Sequence, residues 1–299
     1  MIISRSQLSD PLRPSRPCGE NSSAITGKSI SGHLHLRCET REDGTPFIAH
    51  QSFQAPVHLS KAHLSDDGKI LVLTIVNPTA GFFDGDKVDS DVTVGRGAAL
   101  ALSTPSSSRV FRTRSGKDAV CDQKFSVESG GFLEWIPEAF IPHSGARYVQ
   151  RTQVNLDPGA GLLFIDWISP GRVARGEIFQ YENLRWEFDL RHSGKLISRE
   201  RYDMSGEGLE GITAMFEAGH YISIYIAGPM LENFPTSEVD GLNNEDTYLG
   251  HGLLEGGEAM AIRALCRDSL SARRLIERIR PMLYHAAGRK VPALGRISM

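Results

Sequence analysis

Residues 184–190 alternate without a fault: Leu184, Trp186, Phe188 and Leu190 fall on one face, and Arg185, Glu187 and Asp189 on the other. A period of two with one dry and one wet side is what a strand requires, and an amphipathic helix does not show it. The same alternation runs through Leu34, Leu36 and Cys38 against His33, His35 and Arg37, and through Ile222, Ile224 and Ile226 against Tyr221, Ser223 and Tyr225. Continuous apolar stretches at residues 70–76, 98–102 and 162–168 predict strands covered on both faces. Turn signals separate them at short intervals, as in Gly95-Arg96-Gly97, Ser129-Gly130-Gly131, Asp157-Pro158-Gly159 and His192-Ser193-Gly194. Glycine makes up 30 of 299 residues, above the usual share of about 7%, and many tight turns use that surplus. Because no regular helices separate the strands, βαβ folds are excluded and a mainly β, mostly antiparallel architecture is expected.

One late segment breaks the pattern. Leu275, Ile276, Ile279, Met282 and Leu283 form an apolar stripe opposite Arg273, Arg274, Glu277 and Arg278, which predicts a helix over residues 271–287, kinked at Pro281. A shorter helix is expected at residues 209–217 or around residues 229–233. Residues 1–32, rich in Ser and Pro without apolar periodicity, read as a flexible N-terminal extension, and residues 33–299 as a single β-rich domain. With 33 Lys and Arg against 36 Asp and Glu, the net charge of −3 gives no general attraction to nucleic acid or anionic lipid. The longest apolar stretch, residues 70–76, is far short of the roughly 20 residues of a membrane span. The first residues lack a basic segment followed by an apolar one, so a cytoplasmic location is expected. Cys18, Cys38, Cys121 and Cys266 lie far apart with no C-x-x-C, which argues against a disulfide scaffold and a structural zinc site.

Familiar chemistry is poorly served. Gly206-Glu207-Gly208-Leu209-Glu210-Gly211 matches G-x-G-x-x-G, but no βαβ frame surrounds it and two carboxylates would face a pyrophosphate, so a flexible turn is expected. Thr26-Gly27-Lys28-Ser29 ends like a P-loop, yet Ser22 stands at its first glycine and no apolar strand precedes it. There is no G-x-S-x-G elbow and no H-E-x-x-H. His33 and His35 share a strand face without a third ligand at useful spacing and read as an exposed pair. What stands out is a set of carboxylates inside apolar or glycine-rich sequence: Asp84 and Asp86 after Gly81-Phe82-Phe83, Glu134 between Leu133 and Trp135, Asp166 between Ile165 and Trp167, and Glu177 after Gly176. A buried carboxylate must be paired, hydrogen-bonded or beside water. Ion pairs with Arg109, Arg112, Arg147 or Arg172 are one reading, and a polar internal channel is the other. A carboxylate-pair hydrolase built on Asp166 and Glu177 is a third.

Four ordered blocks carry a resemblance. The segment from Asn77 through Gly81-Phe82-Phe83-Asp84-Gly85-Asp86 resembles the H/N-P-P-G-G-x-x-x-G-D segment of the urease accessory protein UreD (UreH) family. Residues 103–112, with Arg109 and Phe111 at the family's Lys and Tyr positions, are similar to its T-x-x-A/S-x-K-x-Y-R block. Leu133-Glu134-Trp135-Ile136-Pro137-Glu138 through Ile141 and Gly145, and then Asp166, Gly171-Arg172 and Gly176-Glu177, match its remaining two blocks. Weaker similarity runs from about His33 to the C-terminal helix. The resemblance implies a large antiparallel or helical β-strand scaffold with a few helices, non-enzymatic and cytoplasmic. It implies partners UreF, the GTPase UreG and apo-urease in a multi-protein assembly in which a dimer is one option, with no nucleic acid and no membrane. It implies no tightly bound cofactor, but transient nickel moving through the interior. On this reading Asp86, Glu134, Asp166 and Glu177 line or support the metal route, several weak sites suiting passage better than one closed cage. An all-β adaptor unrelated to nickel is the rival reading.

Overall fold

The computed structural model describes residues 29–77, 79, 81–204 and 215–294. The extension apart from residues 29–32, the P-loop-like residues 26–28, the glycine-rich residues 206–211 and most of the helix expected at 209–217 lie outside the described residues. Strands dominate the rest. The first sheet has seven, in the order β15 (Lys195–Asp203), β14 (Asn183–His192), β12 (Arg147–Leu156), β9 (Ala119–Val127), β6 (Lys87–Val94), β1 (Ser31–Thr40) and β2 (Pro46–Gln54). The second runs β17 (Thr247–Leu253), β18 (Ala259–Cys266), β16 (His220–Ala227), β13 (Gly161–Ile168), β10 (Phe132–Ile136), β7 (Ala99–Ser103), β5 (Leu71–Val76) and β3 (His58–Leu59). Three short strands attach to it: β4 (His63–Leu64) on β5, β11 (Phe140–Pro142) on β13, and β8 (Ser108–Val110) on β11.

Between β5 and β14 the chain alternates between the sheets, and each strand lies parallel to its predecessor in its own sheet. The centre is therefore a β-solenoid. This is the helical form of the mainly β scaffold that the resemblance implies; antiparallel pairing, expected from the strand pattern to dominate, is confined to the edges, at β1–β2, β14–β15, β13–β16–β18–β17, β3–β5 and β4–β5. The reason is local. The turns at Gly97, Gly130 and Gly159, with φ of 69°, 71° and 73°, send the chain across to the opposite sheet and not back along the same one. A period of two cannot tell a hairpin from a coil of this kind. The turns stack through backbone bonds, Glu128 N–H donating to the Val94 carbonyl at 2.9 Å and Asp157 N–H to Val127 at 2.9 Å.

Two cores result. One lies between the sheets and takes the inward face of the alternating strands, including Leu34, Leu36, Phe125, Phe164, Leu184, Phe188 and Leu190. The other lies between the outer face of the second sheet and a helix, and includes Leu163, Ile165, Ile222, Ile224, Ile226, Leu275, Ile276 and Ile279. Strands β7 and β13 are buried along their whole length, as the apolar runs at 98–102 and 162–168 predict, and so is β10. The run at 70–76 is fully covered only in its first half, Thr74, Ile75 and Val76 of β5 being partly exposed. Strand β16 departs from the one-wet-face expectation: its Ser223 and Tyr225 are buried as well, and Tyr225 stacks on Phe188 at 4.2 Å between the sheets.

Among the described residues helices are few: α1 (Thr236–Asp240) and α2 (Ser269–Ala286), with short 3₁₀ helices at Val173–Arg175 and Pro229–Asn233. The latter is where one of the two short-helix alternatives placed it. At the start of α2 the Asp268 carboxylate accepts the Ser271 N–H at 2.8 Å, and Ser271 Oγ accepts the Asp268 N–H at 3.1 Å, a reciprocal cap. Pro281 sits inside α2 without ending it. No helix among the described residues is long and apolar enough to cross a membrane.

Candidate functional site

The inter-sheet core is not uniformly apolar. Register places Ser90, Gln123 and Thr152 opposite one another on β6, β9 and β12, and Cys121 opposite Gln150 one inward step away. Tyr148 Oη donates to Gln150 Oε1 at 3.0 Å, Gln150 Nε2 donates to Thr152 Oγ1 at 3.2 Å, and Thr152 Oγ1 donates to Gln123 Oε1 at 3.1 Å. This ladder borders a cavity of about 120 Å³ that also touches Asp166, Trp186 and Glu138. Asp166 projects from β13 into the inter-sheet space, where the Trp186 indole N–H donates to its Oδ2 at 2.9 Å. Burial pushes the Asp166 pKa up to about 7, against the pull of that hydrogen bond and of the Arg263 guanidinium two strands away. The same burial holds the Cys121 thiol protonated, its pKa raised to about 12.

The other three carboxylates go elsewhere. Glu134 points to the opposite side of the second sheet, fully buried under α2, where Arg280 grips it at 2.6 and 3.0 Å and Tyr284 Oη donates at 2.7 Å. Burial works against the Arg280 charge, but the Glu134 carboxylate outweighs it and keeps the guanidinium pKa above its ordinary value. Asp86 is buried and accepts the Ile30 and Phe83 N–H groups, each at 2.8 Å, tying the start of β1 to the turn before β6. Glu177 accepts two guanidinium bonds from Arg172, one of them at 2.7 Å, and the Ser144 N–H at 3.1 Å. Of the arginines named as partners, Arg172 takes Glu177 and Arg147 takes Asp118, whereas Glu134 uses Arg280, distant in sequence. The cavity that Asp166 lines does not include Glu177, whose carboxylate is taken by Arg172, which disfavours the hydrolase reading. Among the described residues no three His, Cys, Asp or Glu side chains converge to hold a metal ion.

A larger cleft, about 700 Å³, opens on the surface near the cavity and shares Ser107, Glu138 and Trp167 with it. Three of the four sequence blocks supply its walls: Arg109 and Phe111, then Glu138 and Ile141, then Gly171 and Arg172. The remaining block meets it through Phe83, stacked on Phe111 at 4.6 Å. Two glycines make this possible. A Cβ at Gly81 (φ 151°) would lie 2.4 Å from the Arg109 carbonyl oxygen, and one at Gly171 (φ 139°) 2.3 Å from that of Glu177. The neighbouring Asp84, despite the opposing effect of burial, is brought to a pKa of about 2 by hydrogen bonds from Thr113, Ser115 and Arg114.

The family described as UreD urease accessory protein matches residues 31–298. The chain belongs to that family. It is 39% identical over 262 residues to the Urease accessory protein UreD of Opitutus terrae, covering 86% of this chain and 95% of that protein. It is 37% identical over 160 residues to the Haloarcula marismortui protein of the same name, covering 53% of each. The Kocuria rhizophila protein, also so named, is 34% identical over 161 residues, 54% of this chain and 44% of its own length. In this UreD-family chain the sequence reading missed the inward ladder of Gln123, Tyr148, Gln150 and Thr152. The signal was present as polar residues at alternate positions of β9 and β12, on the face that also carries Phe125 and Val154.

Proposed function

We propose that this protein serves urease maturation as a non-catalytic scaffold in the cytoplasm, assembling with UreF, the GTPase UreG and apo-urease and passing nickel through its interior. The observation that carries the reading is the polar ladder beside Asp166. Polar groups in a solenoid core lower stability relative to well-packed apolar ones, so their presence on two neighbouring strands, β9 and β12, calls for a role. Ni²⁺ accepts carboxylate and water oxygens. A carboxyl that titrates near neutrality exchanges a proton for a cation at little electrostatic cost, and without a converging third ligand it releases the cation again. Of the four carboxylates, Asp166 alone lines the cavity, so the route is assigned to Asp166, with Glu138 at the wall shared by cavity and cleft. Asp86, Glu134 and Glu177 support it by holding the fold.

The test is urease produced in cells together with the accessory proteins and either the natural chain, no chain, or Asp166→Asn. Nickel per urease and the abundance of the accessory complex are measured together. Nickel should fall strongly without the chain and with Asp166→Asn, while the variant complex stays at normal abundance. Full nickel loading with no chain present would end the maturation reading. Full loading with Asp166→Asn would end the assignment of the route.

A further inference from the structure

The surface cleft carries more positive charge than its own carboxylates balance. Arg172 is committed to Glu177, and Arg273 holds Glu138 through two hydrogen bonds of 3.0 and 2.6 Å. Arg109 and Arg175 also line the cleft, and among the described residues neither pairs with a carboxylate. His143, on the same wall, is over nine-tenths buried, and its Nε2 has no hydrogen-bond partner. Burial lowers the His143 pKa, and Arg172, Arg109 and Arg175 lower it further against the opposing pull of Glu177, which disfavours a charged ring. The rest of the lining is mixed: Phe111, Ile141 and Trp167 give it apolar wall, Ser107, Ser169, His220 and Ser269 are polar, and Val173 at its rim is 41% exposed. Phe83, stacked on Phe111, is 44% exposed and extends this apolar surface outward.

We infer that this cleft is a docking site for an acidic, partly apolar segment of a protein partner, its carboxylates taken by Arg109 and Arg175 and its apolar side chains by the Phe111, Ile141 and Val173 walls. The occupant follows from charge and shape together. Guanidinium groups match carboxylates in a fork geometry. A free inorganic anion would leave the apolar walls uncovered, and a bare cation would be repelled by the arginines. The inference deepens the proposed function, because the partners are those of urease maturation.

The test uses the full-length chain and the purified UreF, UreG and apo-urease of the same system, with association followed at low and high salt. The variants are Arg109→Glu/Arg175→Glu, the neutral Arg109→Gln/Arg175→Gln, and Arg151→Glu on the outer face of β12 as a control, each checked for an unchanged melting transition. The charge reversal should weaken one partner about 30-fold or more and the neutral pair about 5–10-fold, with a flatter salt dependence in both. The control should bind normally. Equal affinity of the natural chain and the charge-reversed variant overturns the docking site and leaves the maturation reading standing. If the natural chain binds none of the three, that reading falls and this inference with it. Competition by inorganic phosphate with intact protein association in the reversed variant would show a small-anion site and overturn the docking assignment.

Discussion

Two buried carboxylates, on strands that pair side by side, meet opposite fates. Glu134 on β10 faces α2 and is neutralised by Arg280 and Tyr284. Asp166 on β13 faces the other sheet, where the Trp186 indole N–H is its hydrogen-bonding partner and the guanidinium that favours its charge, that of Arg263, is itself engaged by Glu200. The helix side of the second sheet is thus a sealed clamp, and the inter-sheet side keeps an incompletely compensated acid beside a cavity. The same residue chemistry acts as a fastener where its charge is matched and as a titratable group where it is not.

The contrast is sharpest if one member is removed from each side. Glu134→Gln should cost about 3–5 kcal/mol, because Arg280 is left buried without its counter-ion. Denaturant unfolding at neutral pH measures it. Replacing both partners, as Glu134→Leu with Arg280→Met, should recover most of that loss, since a buried pair is worth little more than apolar residues of similar size. If the double variant is as unstable as the single one, the clamp description is wrong.

Asp166 should behave in the opposite sense. Its folded pKa is raised from 3.8 to about 7, so between those values the folded chain holds a proton that the unfolded chain has lost. Stability should therefore fall as pH rises through that window, by up to about 1.4 kcal/mol per pH unit from this group. Asp166→Asn should remove that slope and be relatively more stable at pH 8 than at pH 5, as read from unfolding midpoints across pH. An unchanged slope would show that the acid is compensated in the way Glu134 is.

The smallest effect is expected at the near end of the clamp helix. Asp268→Ala removes the carboxylate that caps α2 and should cost about 1 kcal/mol, seen as a modest drop in the unfolding midpoint. If it costs as much as Glu134→Gln, then α2 depends on its cap as much as on Arg280.

Much of this molecule was legible before folding was considered. Alternation at residues 184–190 and the apolar runs at 98–102 and 162–168 matched the burial of their strands, because burial acts on side-chain direction and direction follows the period, whereas the alternation at 221–226 and the run at 70–76 did not. The α2 stripe was equally plain. Strand direction was not, since Gly97, Gly130 and Gly159 allow a tight turn without specifying which sheet receives the next strand. For the candidate site, the sequence singled out the acids but not their surroundings.

That these carboxylates would be set among apolar neighbours, and so would need compensation, was determined by the order of residues alone. Which of them receives it was decided only in three dimensions. Arg280 lies 146 residues from Glu134 in the chain, and Asp166 points into the solenoid because of one step in strand register. The energy of a buried charge depends on what the fold brings within a few ångströms of it, and spacing along the chain does not contain that information.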